Sequence, residues 1–444
     1  MKAEQSISDT LDSALTALPP GPIAVAFSGG LDSATLLHAL SRLPAARERG
    51  LRAIQIDHGL HAQSGTWTAH CEQICLACEV PLLSLRVSVE RSSGLGLEAA
   101  ARQARFDAFK STLAEGEFLA LAQHRDDQVE TVLLKLLRGA GPEGLGGMRN
   151  LRRLGTAWAW RPLLDTPRAA LRRYAEHAEL EWVEDPSNID TRFERNFLRH
   201  EVLPQLRDRW SRADQSICQS AEWIRAAADF IDEQAQRALA RLQGLDPATL
   251  NYRDWLGLSD ALRDPVLRRW LRYLHLPEPN QHQLGELERQ LADAGEDKLP
   301  CVRWPGAEVR RYRDLIYAMK TQVLPDPDWQ CAWDGQPLSL PADLGSLYLQ
   351  PATRSNQDPA IAEPLKVRFR RGGERLRLDA GGYHRELRHL LQEAGVPPWQ
   401  RGCIPIVLNR KDELLAVGDL FLSDVGRQQF ARLDRTLCWI RDPG

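Results

Sequence analysis

The feature that most constrains this chain is a glycine-rich turn between an apolar segment and an amphipathic one. Residues 22–27, PIAVAF, have the composition of a short buried strand, and LDSATLLHALSRL from Leu31 onward has helical periodicity. Gly29 and Gly30 let the backbone turn sharply and leave successive amides unobstructed. A helix N-terminus adds unpaired amides and a positive dipole end. The sequence therefore predicts a phosphate-binding turn at residues 28–33, although a lone Ser-Gly-Gly turn is usually only structural.

The same alternation of strand and helix continues along the N-terminal part of the chain. Strands are predicted at 51–57, 80–87 and 118–123, and the helices between and after them at 66–78, 97–113 and 127–137. This pattern predicts an α/β domain with a doubly wound, mostly parallel, Rossmann-like sheet. Ligands bind such folds outside the carboxyl ends of the strands, where the glycine-rich turn lies.

Two further domains are predicted. Helical periodicity dominates 213–242, 262–274 and 283–294, and residues 302–319 have the pattern of a hairpin pair. Residues 324–341, with several prolines and little periodicity, are predicted to be a linker. In a chain of 444 residues, we therefore predict an α/β catalytic domain, a helical middle domain with a hairpin and a small α+β C-terminal domain. Their predicted ranges are 1–207, 208–325 and 345–444.

Composition is typical of a soluble globular protein, with 43% hydrophobic and 26% charged residues. No apolar run reaches the roughly 18 residues that cross a bilayer, and the N-terminus lacks a secretory pattern. The eight cysteines are dilute and lack the spacing of a disulfide framework. The sequence thus predicts a cytoplasmic protein with reduced thiols and no membrane partner.

The net charge of −3 conceals two basic segments. Residues 149–173 contain seven arginines and one acidic residue, and residues 366–388 contain eight Lys or Arg and three acidic residues. Neutralising phosphates supplies sequence-independent affinity for nucleic acid. We therefore expect both segments to contact RNA.

The turn itself reads Ser28-Gly29-Gly30-Leu31-Asp32-Ser33. It is neither the phosphate loop GxxxxGK[ST] nor the dinucleotide fingerprint GxGxxG. It resembles instead the signature of the ATP pyrophosphatase (PP-loop) group, in which the loop holds the pyrophosphate half of ATP and the α-phosphate is attacked. The resemblance implies that all six residues bind ATP. Ser28 and Ser33 can add hydroxyl donors, and Asp32 can orient Mg²⁺.

Further segments narrow the resemblance to one family. In chain order they are DHGL at 57–60, LEAAARQARF at 97–106, HRDDQVET at 124–131, LRGAG at 137–141, RPLL at 161–164, DPSNID at 185–190 and RNFLR at 195–199. Weaker similarity covers VRRYR at 309–313 and the region 369–418. Together these segments closely resemble the tRNA(Ile)-lysidine synthetases over most of the chain.

The resemblance implies an ATP-dependent ligase. Such an enzyme joins L-lysine to carbon 2 of the wobble cytidine of tRNA(Ile) with a CAU anticodon, through an adenylated cytidine, and releases pyrophosphate and AMP. ATP and Mg²⁺ are the expected cofactors. A homodimer is one possible oligomeric state. One alternative is a tRNA thiolase of the same group, which would need catalytic cysteines; another is a nonenzymatic tRNA-binding protein that holds structural ATP.

Three carboxylates, those of Asp126, Asp127 and Glu130, fall within about one helical turn at a predicted strand end. Oxygen ligands so placed suit Mg²⁺, although a helix N-terminus also favours acids through its dipole. We predict Asp126 and Asp127 as metal ligands. The resemblance implies that Asp127 and Glu130 are catalytic and bind either the metal or the lysine ammonium.

Basic and polar residues complete the predicted site. Arg102 and Arg105 lie three apart and can clamp phosphate, so we predict that Arg105 is catalytic and Arg102 binds ATP, although either can be a solvated helix residue. The resemblance implies that Asn188 and Arg199 close the site over the substrate. We predict that His58 contacts adenosine, although a histidine at a strand end is often structural. The predicted tRNA-binding residues are Arg371, Arg375, Arg385, Arg388 and Trp399. Trp399 can stack on exposed bases, although a buried core tryptophan is commoner.

Two features depart from a simple resemblance. Gln123 stands where many relatives have a histidine, so a role for that histidine as acid or base does not carry over, and His124 is not an evident substitute. Cys71, Cys75 and Cys78 match the CxxxCxxC of radical iron–sulfur enzymes. Their spacing places them on one face of a predicted helix, which favours packing in a core over a metal cluster.

Overall fold

The computed structural model describes residues 2–57, 64–87, 97–184, 189–295, 298–351 and 364–441. The chain divides into two compact units, Met1–Ile231 and Asp232–Gly444. Among the described residues, no helix combines the length and the apolar character needed to span a membrane.

A six-stranded sheet forms the centre of the first unit. Its strands are β1 Ile23–Ala26, β2 Arg52–Asp57, β3 Leu82–Arg86, β4 Phe118–Ala120, β5 Leu151–Leu154 and β6 Ala157–Trp160. Their order is β3-β2-β1-β4-β6-β5, and every neighbouring pair is parallel except β5 with β6. The direction of winding reverses between β1 and β4. This reversal leaves a crevice at the carboxyl end of β1, where α/β folds bind ligands.

Apolar residues pack on both faces of this sheet. Ile23 and Val25 of β1 belong to one buried cluster and Ala24, between them, to another, as expected for alternating strand positions. The predicted doubly wound α/β fold is thus confirmed. The helices are α1 Lys2–Thr16, α2 Leu31–Ser41, α3 Pro44–Glu48, α4 Ser64–Ala77, α5 Leu97–Thr112, α6 Arg125–Leu137, α7 Pro142–Leu145, α8 Arg168–His177, α9 Glu194–Phe197, α10 Leu203–Arg209 and α11 Ala213–Leu242, with a π-helical turn at Leu198–Val202.

The second unit begins with the predicted helical region and its antiparallel strands. Its elements are β7 Thr249–Asn251, α12 Tyr252–Leu256, α13 Asp260–Tyr273, α14 Gln281–Asp293, β8 Cys301–Trp304, β9 Ala307–Tyr312 and β10 Leu315–Met319. The strands form one sheet in the order β7-β10-β9-β8. A buried cluster that includes Trp255 and Trp270 joins helices to strands. The predicted helical domain with a hairpin is confirmed, and β7 and β8 extend the hairpin to four strands.

The rest of the second unit is mixed α and β, as predicted. Its strands form a five-stranded sheet β11-β14-β17-β18-β19, a three-stranded sheet β12-β13-β20 and the pair β15-β16. The elements are β11 Gln330–Trp333, β12 Leu338–Ser339, β13 Ser346–Pro351, β14 Leu365–Arg368, β15 Arg375–Leu376, β16 Arg385–Glu386, α15 Leu387–Glu393, α16 Pro398–Arg401, β17 Ile406–Leu408, β18 Leu414–Val417, β19 Phe421–Leu422, α17 Asp424–Arg432 and β20 Arg435–Ile440.

The prediction of a linker at 324–341 is wrong for its second half. Strand β11 pairs antiparallel with β14, from Gln330 opposite Arg368 to Trp333 opposite Leu365. Trp333 is buried in the core of the C-terminal region. The strand was missed because it is short and its partner is distant in sequence.

Candidate active site

The glycine-rich turn joins β1 to α2 as predicted. Gly29 has a φ of +76°, and Gly30 caps α2 with a φ of −80°. The Ser33 hydroxyl donates to the Gly30 carbonyl at 3.0 Å, accepts from the Ser28 amide at 3.2 Å and lies 3.1 Å from the Ser28 hydroxyl. These bonds hold the turn closed, and the first amides of α2 stay without intrahelical partners. The turn is thus preorganised to bind an anion.

A cavity of about 520 Å³ lies beside this turn. Its wall includes residues 28 and 30–33, together with Asp127, Arg168, Arg172 and Arg199. The Val183 amide donates to the Gly29 carbonyl at 2.9 Å, so the segment after α8 lies directly against the turn. The fold therefore brings the predicted ATP-binding turn, Asp127 and Arg199 around one cavity, although they are far apart in sequence.

His124 lies among three carboxylates at the start of α6. It is fully buried and caps the helix: its ring Nδ1 lies 3.4 Å from the Asp127 amide, and Asp127 Oδ2 accepts from the His124 amide at 3.1 Å. Its Nε2 lies 3.5 Å from Asp32 Oδ2 and 3.4 Å from Asp127 Oδ2. Burial opposes the charged ring, but the nearby carboxylates of Asp32, Asp127 and Asp126 raise the pKa of His124. Its position before an acidic pair at a helix start was the only sequence signal for this role.

Two arginines clamp the fully buried carboxylate of Glu130. Arg195 Nε and Arg199 Nε each donate to one of its oxygens at 2.6 Å. Their Nη2 atoms also donate to Asp127 Oδ1, at 3.1 Å from Arg195 and 3.2 Å from Arg199. Burial would lower the pKa of Arg199, but its bond to Glu130 and the charges of Glu130, Asp127 and Asp32 raise it. Arg195 was not predicted, although its spacing of four from Arg199 was a usable signal.

Asp126 has different partners from Asp127. Its Oδ1 accepts from Arg207 Nη2 at 2.8 Å, and its Oδ2 accepts from the Arg168 amide at 2.9 Å. Burial would raise the pKa of Asp126, but the Arg168 amide and the charges of His124 and Arg207 lower it. Across the described residues, no three His, Cys, Asp or Glu side chains group as ligands of one metal ion. The joint role of Asp126 and Asp127 as metal ligands stays a prediction.

Arg105 lies close to the clamp, whereas Arg102 is exposed on α5. Burial, followed by the charges of Arg102 and Arg195, lowers the pKa of Arg105. Both guanidinium groups lie over the Phe106 ring, at 5.3 Å for Arg102 and 5.9 Å for Arg105. Neither belongs to the cavity wall within the described part of the chain. Two other predicted residues, His58 and Asn188, lie outside the described residues.

Gln123 has a structural partner. Its Oε1 accepts from Arg161 Nε, and Arg161 Nη1 donates to the Arg149 carbonyl at 3.0 Å. Burial, with the charges of Arg152 and Arg102, lowers the pKa of Arg161 to about 10. A glutamine amide does not exchange protons as imidazole does. Gln123 therefore supplies no acid or base here.

Part of the basic segment 149–173 is used within the protein. Arg149 forms an ion pair with Asp229 of α11, and Arg161 is buried. Arg168 and Arg172 line the cavity beside the glycine-rich turn. The segment is therefore not simply a surface for RNA.

The predicted tRNA-binding arginines of the C-terminal region are exposed. Arg371 donates to the backbone carbonyls of Pro327 and Asp328, and Arg375 lies on β15. Arg385 pairs with Glu393, and Arg388 Nε lies 2.6 Å from Glu386 Oε2. These pairs are on the surface and are weak enough for phosphates to replace them.

Trp399 does not face solvent, so its predicted stacking on RNA bases is wrong. It is only 8% exposed. Its ring makes edge contacts with Tyr312 at 6.2 Å and Tyr317 at 5.3 Å between centroids, and Arg310 lies over it at 5.2 Å. The tryptophan packs the hairpin against the C-terminal region.

The three clustered cysteines of α4 are core residues, which confirms the packing interpretation. Cys71, Cys75 and Cys78 lie in the same buried cluster as β1. Burial raises the pKa of Cys71 and of Cys75 to about 12. A thiol in such surroundings is a poor nucleophile and a poor metal ligand.

We expect Cys71 and Cys75 not to react with iodoacetamide at pH 8 in the folded protein, because almost no thiolate forms well below the pKa. Peptide mass spectrometry with and without urea measures the labelled fraction. Cys438, which is only partly buried, serves as the control and should react faster in the native state. Rapid native labelling of Cys75 would contradict the prediction.

Models of known domain families match three parts of the chain. Residues 3–206 match a PP-loop domain, residues 250–317 a TilS substrate binding domain and residues 365–439 a TilS substrate C-terminal domain. A solved structure described as the TILS C-terminal domain is 27% identical, with a TM-score of 0.18, and covers 21% of this chain and 83% of that one. The U34-tRNA thiolase NcsA from Methanococcus maripaludis is 16% identical with a TM-score of 0.39, covering 50% and 80%.

Several relatives are similar along most of their length. The chain is 43% identical to the tRNA(Ile)-lysidine synthase of Xanthomonas axonopodis pv. citri, over 92% of each chain. It is 44% identical to that of Alkalilimnicola ehrlichii, over 90% of each. It is 39% identical to that of Escherichia coli O157:H7, over 89% of this chain and 91% of the relative. The chain therefore belongs to the tRNA(Ile)-lysidine synthase family, a family of ATP-dependent ligases built on a PP-loop domain.

Proposed function

We propose that this protein ligates L-lysine to carbon 2 of the wobble cytidine of tRNA(Ile) with a CAU anticodon, at the expense of ATP. The observation that carries the proposal is the cavity in which the SGGLDS turn meets Asp127 and Arg199. A phosphate-binding turn and a carboxylate–arginine clamp on one cavity supply the two functions required, which are activation by ATP and capture of a cationic amine. The reaction takes place in the cytoplasm. The active enzyme is a monomer or a homodimer.

In the first step, oxygen 2 of the cytidine attacks the α-phosphate of ATP. A bond forms between that oxygen and phosphorus, and the bond from phosphorus to the β-phosphate oxygen breaks. The amides of residues 29–33 and the Ser28 hydroxyl hold the departing pyrophosphate, while the Ser28 amide and the Ser33 hydroxyl hold the turn itself in shape. Arg105, Arg199 and Arg102 stabilise negative charge on the phosphoryl oxygens, and His58 contacts the adenosine.

In the second step, the lysine amine attacks carbon 2 of the adenylated cytidine. A carbon–nitrogen bond forms, the carbon–oxygen bond breaks, AMP leaves with the oxygen and the amine loses a proton. Asp127, on the cavity wall, binds the ammonium before it is deprotonated, and the buried Glu130 supports it by holding the same two arginines, Arg195 and Arg199. Asn188 and Arg199 close the site over the substrate.

Mg²⁺ fits the acidic side of this cavity better at Asp32 than at Asp126. Asp32 Oδ1 is buried and has no hydrogen-bond partner among the described residues, whereas both oxygens of Asp126 are occupied. Asp32 and Asp127 would hold the ion, which neutralises phosphate charge when bound. Asp126 is then a positioning residue that ties α6 to α8.

The remaining domains bind tRNA in this proposal. The catalytic domain spans 1–207, and the domains predicted at 208–325 and 345–444 contact the RNA, with β11 and β12 added to the second of these. Exposed arginines of the C-terminal domain bind its phosphates without reading sequence. They are Arg371, Arg375, Arg385 and Arg388.

Incubation with ATP, radiolabelled lysine and tRNA carrying a CAU anticodon tests the proposal. We expect one pyrophosphate and one AMP for each lysine incorporated, and no pyrophosphate without tRNA. Production of ADP and orthophosphate, or folded protein that binds ATP but never incorporates lysine, would contradict it.

The thiolase alternative makes a different prediction for the cysteines. If the protein were a thiolase, replacing Cys75 and Cys78 by Ala would abolish its activity. If it is a lysine ligase, the same variant should still incorporate lysine into tRNA. The burial of both cysteines and the raised pKa values of their thiols disfavour a catalytic role.

A further inference from the structure

We propose that Arg168 and Arg172, on the first two turns of α8, bind the pyrophosphate that leaves ATP. The inference rests on the proposed function, because it assigns new residues to the leaving-group side of the same cavity. Nothing in the sequence patterns singled out either arginine, and both line the cavity beside the glycine-rich turn.

The first observation is that Arg168 and Asp32 face each other as an ion pair that is too long for a hydrogen bond. Arg168 Nε lies 3.5 Å from Asp32 Oδ1, and each of these two buried atoms has no hydrogen-bond partner among the described residues. The Arg168 side chain as a whole is 43% exposed. A structural ion pair would close this gap, since unpaired buried polar atoms are costly. The geometry therefore suits a guanidinium that awaits another ligand.

The second observation is how firmly α8 is held against the turn. The Arg168 amide donates to Asp126 Oδ2 at 2.9 Å, which ties the start of α8 to α6. Further along α8, Tyr174 Oη lies 3.0 Å from His38 Nδ1 of α2. The N-terminus of α2 is the glycine-rich turn. Arg172 lies four residues after Arg168 and so on the same face. The helix backbone that carries Arg168 and Arg172 is therefore fixed beside the phosphate-binding amides.

The third observation concerns charge. The turn offers only neutral donors together with the anionic Asp32, while the departing pyrophosphate carries several negative charges. Arg199, a third arginine that lines the cavity within the described residues, already pairs with Glu130 and Asp127. Within the described part of the chain, Arg172 pairs with Glu176, an exposed carboxylate, at 2.9 Å. Arg168 and Arg172 are thus the arginines best placed to neutralise the leaving group, and guanidinium groups bind phosphate oxygens bidentately.

Calorimetric titration of the full chain with inorganic pyrophosphate and Mg²⁺, without tRNA or lysine, tests the inference directly. We expect Arg168→Ala to weaken pyrophosphate binding roughly 10- to 100-fold, the range of a lost charge-assisted hydrogen bond. Arg172→Ala should weaken it less, because that side chain is more exposed. Arg168→Lys should restore part of the affinity. Arg173→Ala is the matched control, since Arg173 is exposed on the same helix and absent from the cavity wall among the described residues.

Unchanged pyrophosphate affinity in Arg168→Ala, or an equal loss in Arg173→Ala, would overturn the inference. So would a failure of the wild-type protein to bind pyrophosphate. If Arg168→Ala unfolds, Arg172→Ala and Arg168→Lys decide the question, with thermal unfolding measured for each. Failure of the proposed function looks different: the wild type would bind pyrophosphate through Arg168 but would not transfer lysine to tRNA.

Discussion

Glu130→Ala is expected to lower the free energy of unfolding of the first unit by about 3 kcal/mol, the lower end of the range for breaking a buried ion pair. The substitution removes the fully buried carboxylate that accepts from Arg195 and Arg199 at 2.6 Å each. The loss is limited because both arginines can still reach water: the side chains of Arg195 and Arg199 are 28% and 22% exposed. Glu130→Gln should lose less, because the amide oxygen still accepts one bond. The free energy of unfolding is measured by urea titration, with unfolding followed by amide hydrogen exchange in peptides derived from α6.

The same experiment has a matched control. Glu176 pairs with Arg172 at 2.9 Å, but both side chains are more than half exposed. Glu176→Ala should therefore change stability by no more than about 0.5 kcal/mol. A similar loss in the two variants would show that the buried clamp is no stronger than a surface pair. Lysine transfer should fall in Glu130→Ala and Glu130→Gln alike, because neither keeps the charge that holds Arg195 and Arg199 beside Asp127.

The sequence was informative where the structural cause is local. The glycine-rich turn follows directly from β1 and precedes α2, so apolar pattern and glycine placement were enough to locate it. The acidic start of α6 was visible for the same reason. Local patterns also revealed the cysteine face of α4, because helical spacing alone places the three thiols together.

Other parts of the site depend on contacts between distant residues. Arg195 and Arg199 reach Glu130 across 65 and 69 residues, and no local pattern specifies that pairing. The burial of Trp399 depends on Tyr312 and Tyr317 of the hairpin, which precede it by more than eighty residues. Arg168 looked like one basic residue among several, and only the packing of α8 beside α2 brings it to the cavity. Sequence reasoning thus located the loop but not the residues that close the site around it.

Gly29→Ala is expected to reduce tRNA-dependent pyrophosphate release at least about 100-fold, the cost of displacing a reacting group by about 1 Å. The φ of +76° at Gly29 is unfavourable for alanine, by roughly 1–2 kcal/mol. The added Cβ would also lie 2.8 Å from Cys71 Sγ, closer than real Cβ atoms approach a neighbour. The turn must therefore shift, and its amides move with it. Steady-state pyrophosphate release with saturating tRNA and lysine gives the measurement.

Gly30→Ala is the matched variant, because it changes the adjacent glycine without either problem. Gly30 has a φ of −80°, and an added Cβ would lie 3.7 Å from both Ser28 Oγ and the Val183 carbonyl, which is ordinary contact. We expect a much smaller loss of activity than in Gly29→Ala. Adding Cys71→Ala to Gly29→Ala removes the clash but keeps the strained φ, so it should restore activity only in part. Equal losses at the two glycines, with no recovery in the double variant, would mean that the conformation of Gly29 does not set the position of the phosphate-binding amides.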